Sequence, residues 1–247
     1  MTAKPFMLRG GLIAVAFLPI FLIPTGSTSG GETDATAIAD EDQLRIAREI
    51  QNVCFANYPP DLIEAMSGHE GSVPEEVRMD PARRQKFFRT EEIVKKGLFY
   101  PSLLDNLLPA LTAVVRPGMT FLDLGSGDGR VVFMAAHLGA DATGIEYDRT
   151  LHRIARSARR NLTNHIEPGR ARLLRGDFYK LDFSSYDVLF YFGKGSFSED
   201  RLLEKIRTEI RDDAFFLFSF PPGILPEMTP IGIYGPVSVY RFDEGSR

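Results

Sequence analysis

The stretch Phe121-Leu122-Asp123-Leu124-Gly125-Ser126-Gly127-Asp128-Gly129-Arg130 constrains this chain more than any other. The apolar run from Met119 to Leu124 reads as a short buried strand that breaks into glycines at alternate positions. Val131 to Leu138 then starts a helix that Gly139 can stop. Strand, glycine turn and helix form the first half of a βαβ unit. Glycines at such a turn take torsions closed to other residues and let a ligand approach the backbone. The helix's first N–H groups have no internal partners and point at whatever sits over the turn.

A nucleotide-like ligand follows, and the spacing narrows it. A dinucleotide site uses G-x-G-x-x-G, in which the third glycine packs helix against strand. Here Gly129 comes one residue early, and Arg130 fills the place reserved for that glycine. Asp123 and Asp128 flank the turn, where they would repel a pyrophosphate but suit a ligand carrying an amino group and a sulfonium. The pattern fits S-adenosylmethionine better than NAD. A glycine-rich turn without any ligand is the plainer alternative.

Further βα units follow in order. Ala142 to Tyr147 reads as the second strand, with Glu146 at its C-terminal end, where an acid reaches ribose hydroxyls in a doubly wound sheet. Tyr147 beside it is counted with the cofactor-binding residues. Arg149 to Leu162 is the next helix. Its stripe of Arg149, Arg153, Arg156 and Arg160 is either a solvent face or a surface for anionic lipid or a partner. The third strand, Ala171 to Arg175, runs into Gly176-Asp177-Phe178. There Asp177 can accept from the adenine amine while the Phe178 ring covers the purine.

Tyr186 to Gly193 is a fourth strand, apolar enough to be buried on both faces. No Asn/Asp-Pro-Pro-aromatic element for gripping a base follows it. Phe220-Pro221-Pro222-Gly223 looks similar but follows the fifth strand, Phe215 to Phe220. Ser198 caps a helix over 199–210, and 231–234 with 237–242 form a closing antiparallel pair. The fold expected is α/β: a doubly wound, mostly parallel sheet of Rossmann-like type, with an antiparallel C-terminal pair and an N-terminal helical extension.

Ahead of that domain, residues 1–29 resemble a secretory signal or membrane anchor. Lys4 and Arg9 precede the apolar run Leu12 to Ile23, and small polar residues follow. That run is short of the roughly 20 apolar residues of a spanning helix. Residues 30–42 read as a flexible linker and 43–98 as a helical extension, with helices from Glu41, over 61–66 and over 81–96. The domain itself is taken as 99–247, with Phe99-Tyr100-Pro101-Ser102 either covering the ligand or capping the helix Leu103 to Val115. The net charge of −4 gives no general reason to expect nucleic acid. The single cysteine, Cys54, excludes an internal disulfide, and no Cys or His cluster points to a metal.

From about Tyr100 to Phe242 the chain resembles the class I S-adenosylmethionine-dependent methyltransferases. Asp-Leu-Gly-Ser-Gly-Asp-Gly-Arg looks like their first motif, Gly-Ile-Glu their second and Gly-Asp-Phe their third. Tyr100-Pro101-Ser102, the Asp-Gly-Arg ending and the short tail are similar to a bacterial group related to mitochondrial protein-lysine methyltransferases that modify ATP synthase and carrier subunits. The resemblance implies S-adenosylmethionine as cofactor, held by Asp123, Gly125, Ser126, Gly127, Asp128, Gly129, Glu146, Tyr147, Asp177 and Phe178. It implies methyl transfer to a protein lysine, without a metal. Tyr100, Tyr191 and Phe192 are the candidates for lining the transferred methyl, and no general base is assigned.

Two other function classes stay open on the sequence. The export-like N-terminus suits a silent methyltransferase-fold binding module, because S-adenosylmethionine is made in the cytosol. An NAD-dependent oxidoreductase is disfavoured by the glycine spacing. An inner-membrane anchor with a cytosolic domain would reconcile segment and cofactor, although Lys4 and Arg9 ahead of the run predict the opposite orientation.

Overall fold

A sheet of seven strands in the order β3-β2-β1-β4-β5-β7-β6 carries the molecule. The computed structural model describes residues 40–59, 99, 101–167, 169–193, 200–219, 225 and 228–243. Residues 1–39, the helices expected over 61–66 and 81–96, the Ser198 cap and Tyr100 lie outside the described residues. In chain order the elements are α1 (Glu41–Ala56), α2 (Leu104–Val114), β1 (Thr120–Leu124), α3 (Arg130–His137) and β2 (Asp141–Glu146). Then come α4 (Arg149–Asn161), β3 (Ala171–Arg175), a 3-10 turn (Phe178–Lys180), β4 (Val188–Phe192) and α5 (Asp200–Glu209). Strands β5 (Phe215–Ser219), β6 (Gly232–Tyr234) and β7 (Val237–Arg241) complete the chain.

Strands β1 to β5 run parallel, and β7 lies antiparallel to both β5 and β6. The expected α/β sheet with its antiparallel C-terminal pair is what forms. Strand order reverses between β1 and β4, which makes the C-terminal ends of β1, β2 and β4 the crevice where such sheets bind ligands. Each sheet face has its own core. On one, Phe121 and Phe190 meet α2, α3 and α4 through Leu107, Leu111, Val132, Ala155 and Ala158. On the other, Leu122, Leu124 and Leu189 meet Leu202 and Ile206 of α5 beside Phe183, Phe216 and Phe218.

The helical extension's first member is built into the domain. Asp40 caps α1 by accepting from the Gln43 N–H at 2.7 Å, so the helix takes in Glu41 and Asp42 from the expected linker. Ala47, Ile50 and Cys54 recur at helical spacing and are fully buried in the first core, while Leu44, Ile46 and Val53 pack at its margin. The side chains facing inward from α1 at Ala47 and Cys54 are small. Helix α2 is not capped by Ser102. Its N-cap is Leu103, which offers no side-chain bond, and the free Leu104 N–H donates instead to Gln51 Oε1 of α1 at 2.8 Å. One helix thus supplies the cap of the next.

The close approach of α3 to the sheet is set by a residue outside the turn. A Cβ on Gly144, in the middle of β2, would stand 2.6 Å from Val132 Cγ2 and 2.7 Å from Ser126 Cβ. Gly129 acts in another way, since at φ +83° it is the left-handed N-cap from which α3 starts. The missing third glycine of the dinucleotide pattern is therefore replaced from the neighbouring strand.

Candidate active site

The glycine turn is stitched to its neighbours by backbone bonds. Gly125 and Ser126 both donate to the Ile145 carbonyl, at 3.0 and 3.1 Å, and Gly129 donates back to Ser126 at 2.8 Å. Gly176, after β3, donates to the Glu146 carbonyl at 3.0 Å. The ends of β1, β2 and β3 are thus fixed side by side, with Asp123, Glu146 and Asp177 along them.

Glu146 is buried and braces the turn. Its Oε2 accepts from the Gly127 N–H at 2.8 Å and its Oε1 from the Asp148 N–H at 2.6 Å. Burial raises its pKa, and those backbone donors pull the other way. A carboxylate has about four acceptor positions, and the backbone N–H groups of Gly127, Asp148 and Tyr147 take three of them. Asp123 is buried without any hydrogen-bond donor among the described residues. Burial, then repulsion from Glu146 and Asp128, pushes its carboxyl well above the ordinary value. A carboxyl held this way ionises more readily beside a cation than alone.

Asp128 is engaged differently from Asp123. Arg130 Nε donates to both its oxygens, at 3.0 and 3.1 Å, and Nη2 to Oδ2 at 2.6 Å. Tyr58 donates its hydroxyl to Oδ2 at 2.5 Å and accepts from Arg130 Nη2 at 2.8 Å. Arg130 Nη1 reaches the Ser102 carbonyl at 3.2 Å, and its guanidinium carbon lies 4.9 Å from the Phe55 ring centroid. Burial works against the Arg130 charge, but Asp128 outweighs it and the pKa is raised. The Asp128 side chain is therefore directed into the protein: it anchors the turn to the end of α1. Cys54, its thiol pushed up by burial, contacts the Asp128 carbonyl.

Other expected residues fall into place around this frame. Phe99 lies across the turn, edge-on to Tyr58 at 6.1 Å, and a Cβ on Gly127 would run into its ring. Asp177 is half-buried, and its Oδ1 accepts from the Tyr179 N–H at 3.0 Å. Phe178 meets Tyr191 edge-on at 6.3 Å, and Tyr191 stacks on Phe218 at 6.0 Å. The two-residue period of β4 separates Tyr191 from Phe192: Tyr191 joins the α5-side core and Phe192 the other. Of that pair only Tyr191 stands beside Phe178. Tyr147 is exposed at the start of the following loop.

The residues that sequence reasoning missed are Tyr58, Phe55, Phe99's partner role and Gly144. The available signal was Arg130 itself. A charge that opens an otherwise apolar helix, Val131 to Ala136, has to find an internal acid and further acceptors.

With this geometry in place, likeness to known proteins is informative. The model of the ANTKMT methyltransferase domain matches residues 123–221. The ATP synthase C-subunit lysine N-methyltransferase of Caenorhabditis elegans is 35% identical over 98 residues, 40% of this chain and 49% of that protein. Its Xenopus laevis counterpart is 30% identical over 151 residues, 56% and 63% respectively. The chain thus spans between about half and two-thirds of these curated relatives' length. An RNA methyltransferase from Salinibacter ruber, solved with S-adenosyl-L-homocysteine, superposes with a TM-score of 0.50 at 21% identity. That match covers 59% of this chain and 95% of the other. The fold is that of the class I methyltransferases. No helix among the described residues is long and apolar enough to cross a membrane.

Substitutions at the turn test how its charges are held. Tyr58→Phe removes one hydroxyl but keeps the ion pair, and should cost about 1–2 kcal/mol. Asp128→Asn leaves the Arg130 charge buried against a neutral partner and should cost about 3–5 kcal/mol. Urea unfolding measures both, and equal small losses would show that the pair does not anchor the turn. Asp123, held above its ordinary 3.8 in the folded chain, keeps a proton that the unfolded chain releases. Its contribution to stability is therefore complete below that value and lost as pH rises through the folded-state pKa. Asp123→Asn should match the parent near pH 4 and become the more stable protein toward pH 8. Parallel stability profiles of the two proteins would refute the assignment.

Proposed function

We propose that the protein is an S-adenosylmethionine-dependent methyltransferase that modifies a lysine side chain of a protein. One observation carries the reading: Asp123, Glu146 and Asp177 stand in order on adjacent strand ends around one glycine turn. That order matches the amino group, the ribose and the adenine of one extended ligand. The Asp123 carboxylate, which meets no donor among the described residues, receives the ammonium. Glu146 accepts from the ribose with the capacity its backbone donors leave. Asp177 accepts from the adenine amine while Phe178 covers the purine.

When bound, the cofactor supplies a sulfonium methyl already activated for in-line displacement. The protein's part is then to position the acceptor and exclude water. Tyr191, walled by Phe178 and Phe218 at the end of β4, offers an aromatic surface there. A lysine amine must arrive neutral to use its lone pair, and an apolar wall favours the neutral form. The lysine assignment draws on the relatives, which are named as lysine N-methyltransferases. In the same reading, residues 12–23 hold the chain at a membrane with the domain facing the cofactor-containing compartment.

Tritiated S-adenosylmethionine mixed with a membrane-protein extract tests this. The label should enter a protein and appear as methyl-lysine by mass spectrometry. Glu146→Ala should lower incorporation by about tenfold or more, the value of a charged hydrogen bond or two. No incorporation, or label on another side chain only, would overturn the reading.

A further inference from the structure

Helix α4 carries a surface that the cofactor cradle does not use. Arg153, Arg156, Arg159 and Arg160 are exposed along it, and the helix contains no acidic residue from Arg149 to Asn161. Arg175 ends the adjacent edge strand β3 and shares their field, since burial, then Arg156 and Arg175, lower the pKa of His152. None of these five arginines has a carboxylate partner among the described residues. Elsewhere Arg45, Arg48, Arg130, Arg170, Arg211 and Arg241 each meet an acid, while Arg116 bonds backbone carbonyls. Like charges three and four residues apart repel, and a merely solvated helix face avoids this by mixing signs. Arg159 and Arg160 complement the helix dipole in the last turn, but Arg153 and Arg156 are mid-helix and have no such reason to be there.

The surface is also concave. Arg156, Arg159 and Arg160 line a cavity of about 380 Å³ with Thr163, Ile166, Glu167 and Leu173. Its one acid, Glu167, is held by Arg170 at 2.8 Å, which leaves the three arginines to an outside anion. Guanidinium groups match phosphate oxygens in pairs.

We propose that the arginine surface of α4 and β3 docks the domain on an anionic phospholipid bilayer, with lipid phosphates received between Arg156, Arg159 and Arg160. Two features favour a bilayer over nucleic acid. Neither α4 nor β3 contains a Phe, Tyr or Trp on which a base could stack, and the chain as a whole is acidic. The chain also has an apolar run at Leu12 to Ile23, and a weak apolar attachment with a basic patch makes a stable one.

Flotation of the full chain with vesicles of phosphatidylcholine alone, or mixed with phosphatidylglycerol, tests the proposal. Binding to neutral vesicles measures the apolar run, and the anionic-over-neutral ratio measures the arginines. That ratio should be about tenfold or more at low salt and collapse at high salt. It should fall toward one in Arg153→Gln/Arg156→Gln/Arg160→Gln, and persist in the matching lysine variant, which keeps charge and fold. A parent protein with no preference for anionic vesicles, or a glutamine variant that retains it, overturns the proposal. So does tighter capture of single-stranded RNA or an acidic peptide than of the vesicles. Vesicle binding requires no methyl transfer, so this test stands or falls apart from the proposed activity.

Discussion

A guanidinium buried under the glycine turn holds the site in shape. Arg130 is 2% exposed and opens a helix that is otherwise apolar. Its charge costs several kcal/mol to bury unless every donor is met. The chain meets them from three places: Asp128 in the turn, Tyr58 after α1 and the Ser102 carbonyl before α2. The turn's position therefore depends on helices that lie ahead of the first strand. α1 is as much a part of the cradle as β1, because Tyr58, Cys54 and Phe55 set where Asp128 and Arg130 rest.

Electrostatics then divide the acids of the cradle into two kinds. Asp128 is neutralised from within and serves as an anchor. Asp123 meets no donor among the described residues, and Glu146 has only backbone donors on each oxygen. Glu146 lies close enough to Asp123 to favour its protonated form. Such an arrangement suits a ligand that would bring a cation to one and hydroxyls to the other.

The sheet and the strand ends were legible in the sequence because their signals are local. Apolar runs bounded by glycines marked β1, β2 and β4, and the acid closing each unit marked Asp123, Glu146 and Asp177. The anchor was not legible for a physical reason. Tyr58 and Asp128 are 70 residues apart, and no periodicity links a tyrosine after one helix to an aspartate before another. Asp128 looked like Asp123 because both flank the turn; which way each carboxylate points depends on Arg130. Gly144 escaped notice for the same reason, since its meaning lies in how near α3 comes to β2. Tyr191 and Phe192 are neighbours in sequence, whereas the pleat sends neighbours to opposite faces.

The central claim is that this turn, with Asp123 and Glu146, receives S-adenosylmethionine rather than a dinucleotide. Isothermal titration of the full chain with S-adenosylmethionine and, separately, with NAD tests it most directly. The account predicts saturable binding of S-adenosylmethionine that weakens in Asp123→Asn, and no heat from NAD. Absence of S-adenosylmethionine binding at millimolar ligand, or NAD binding that survives the substitution, would contradict it.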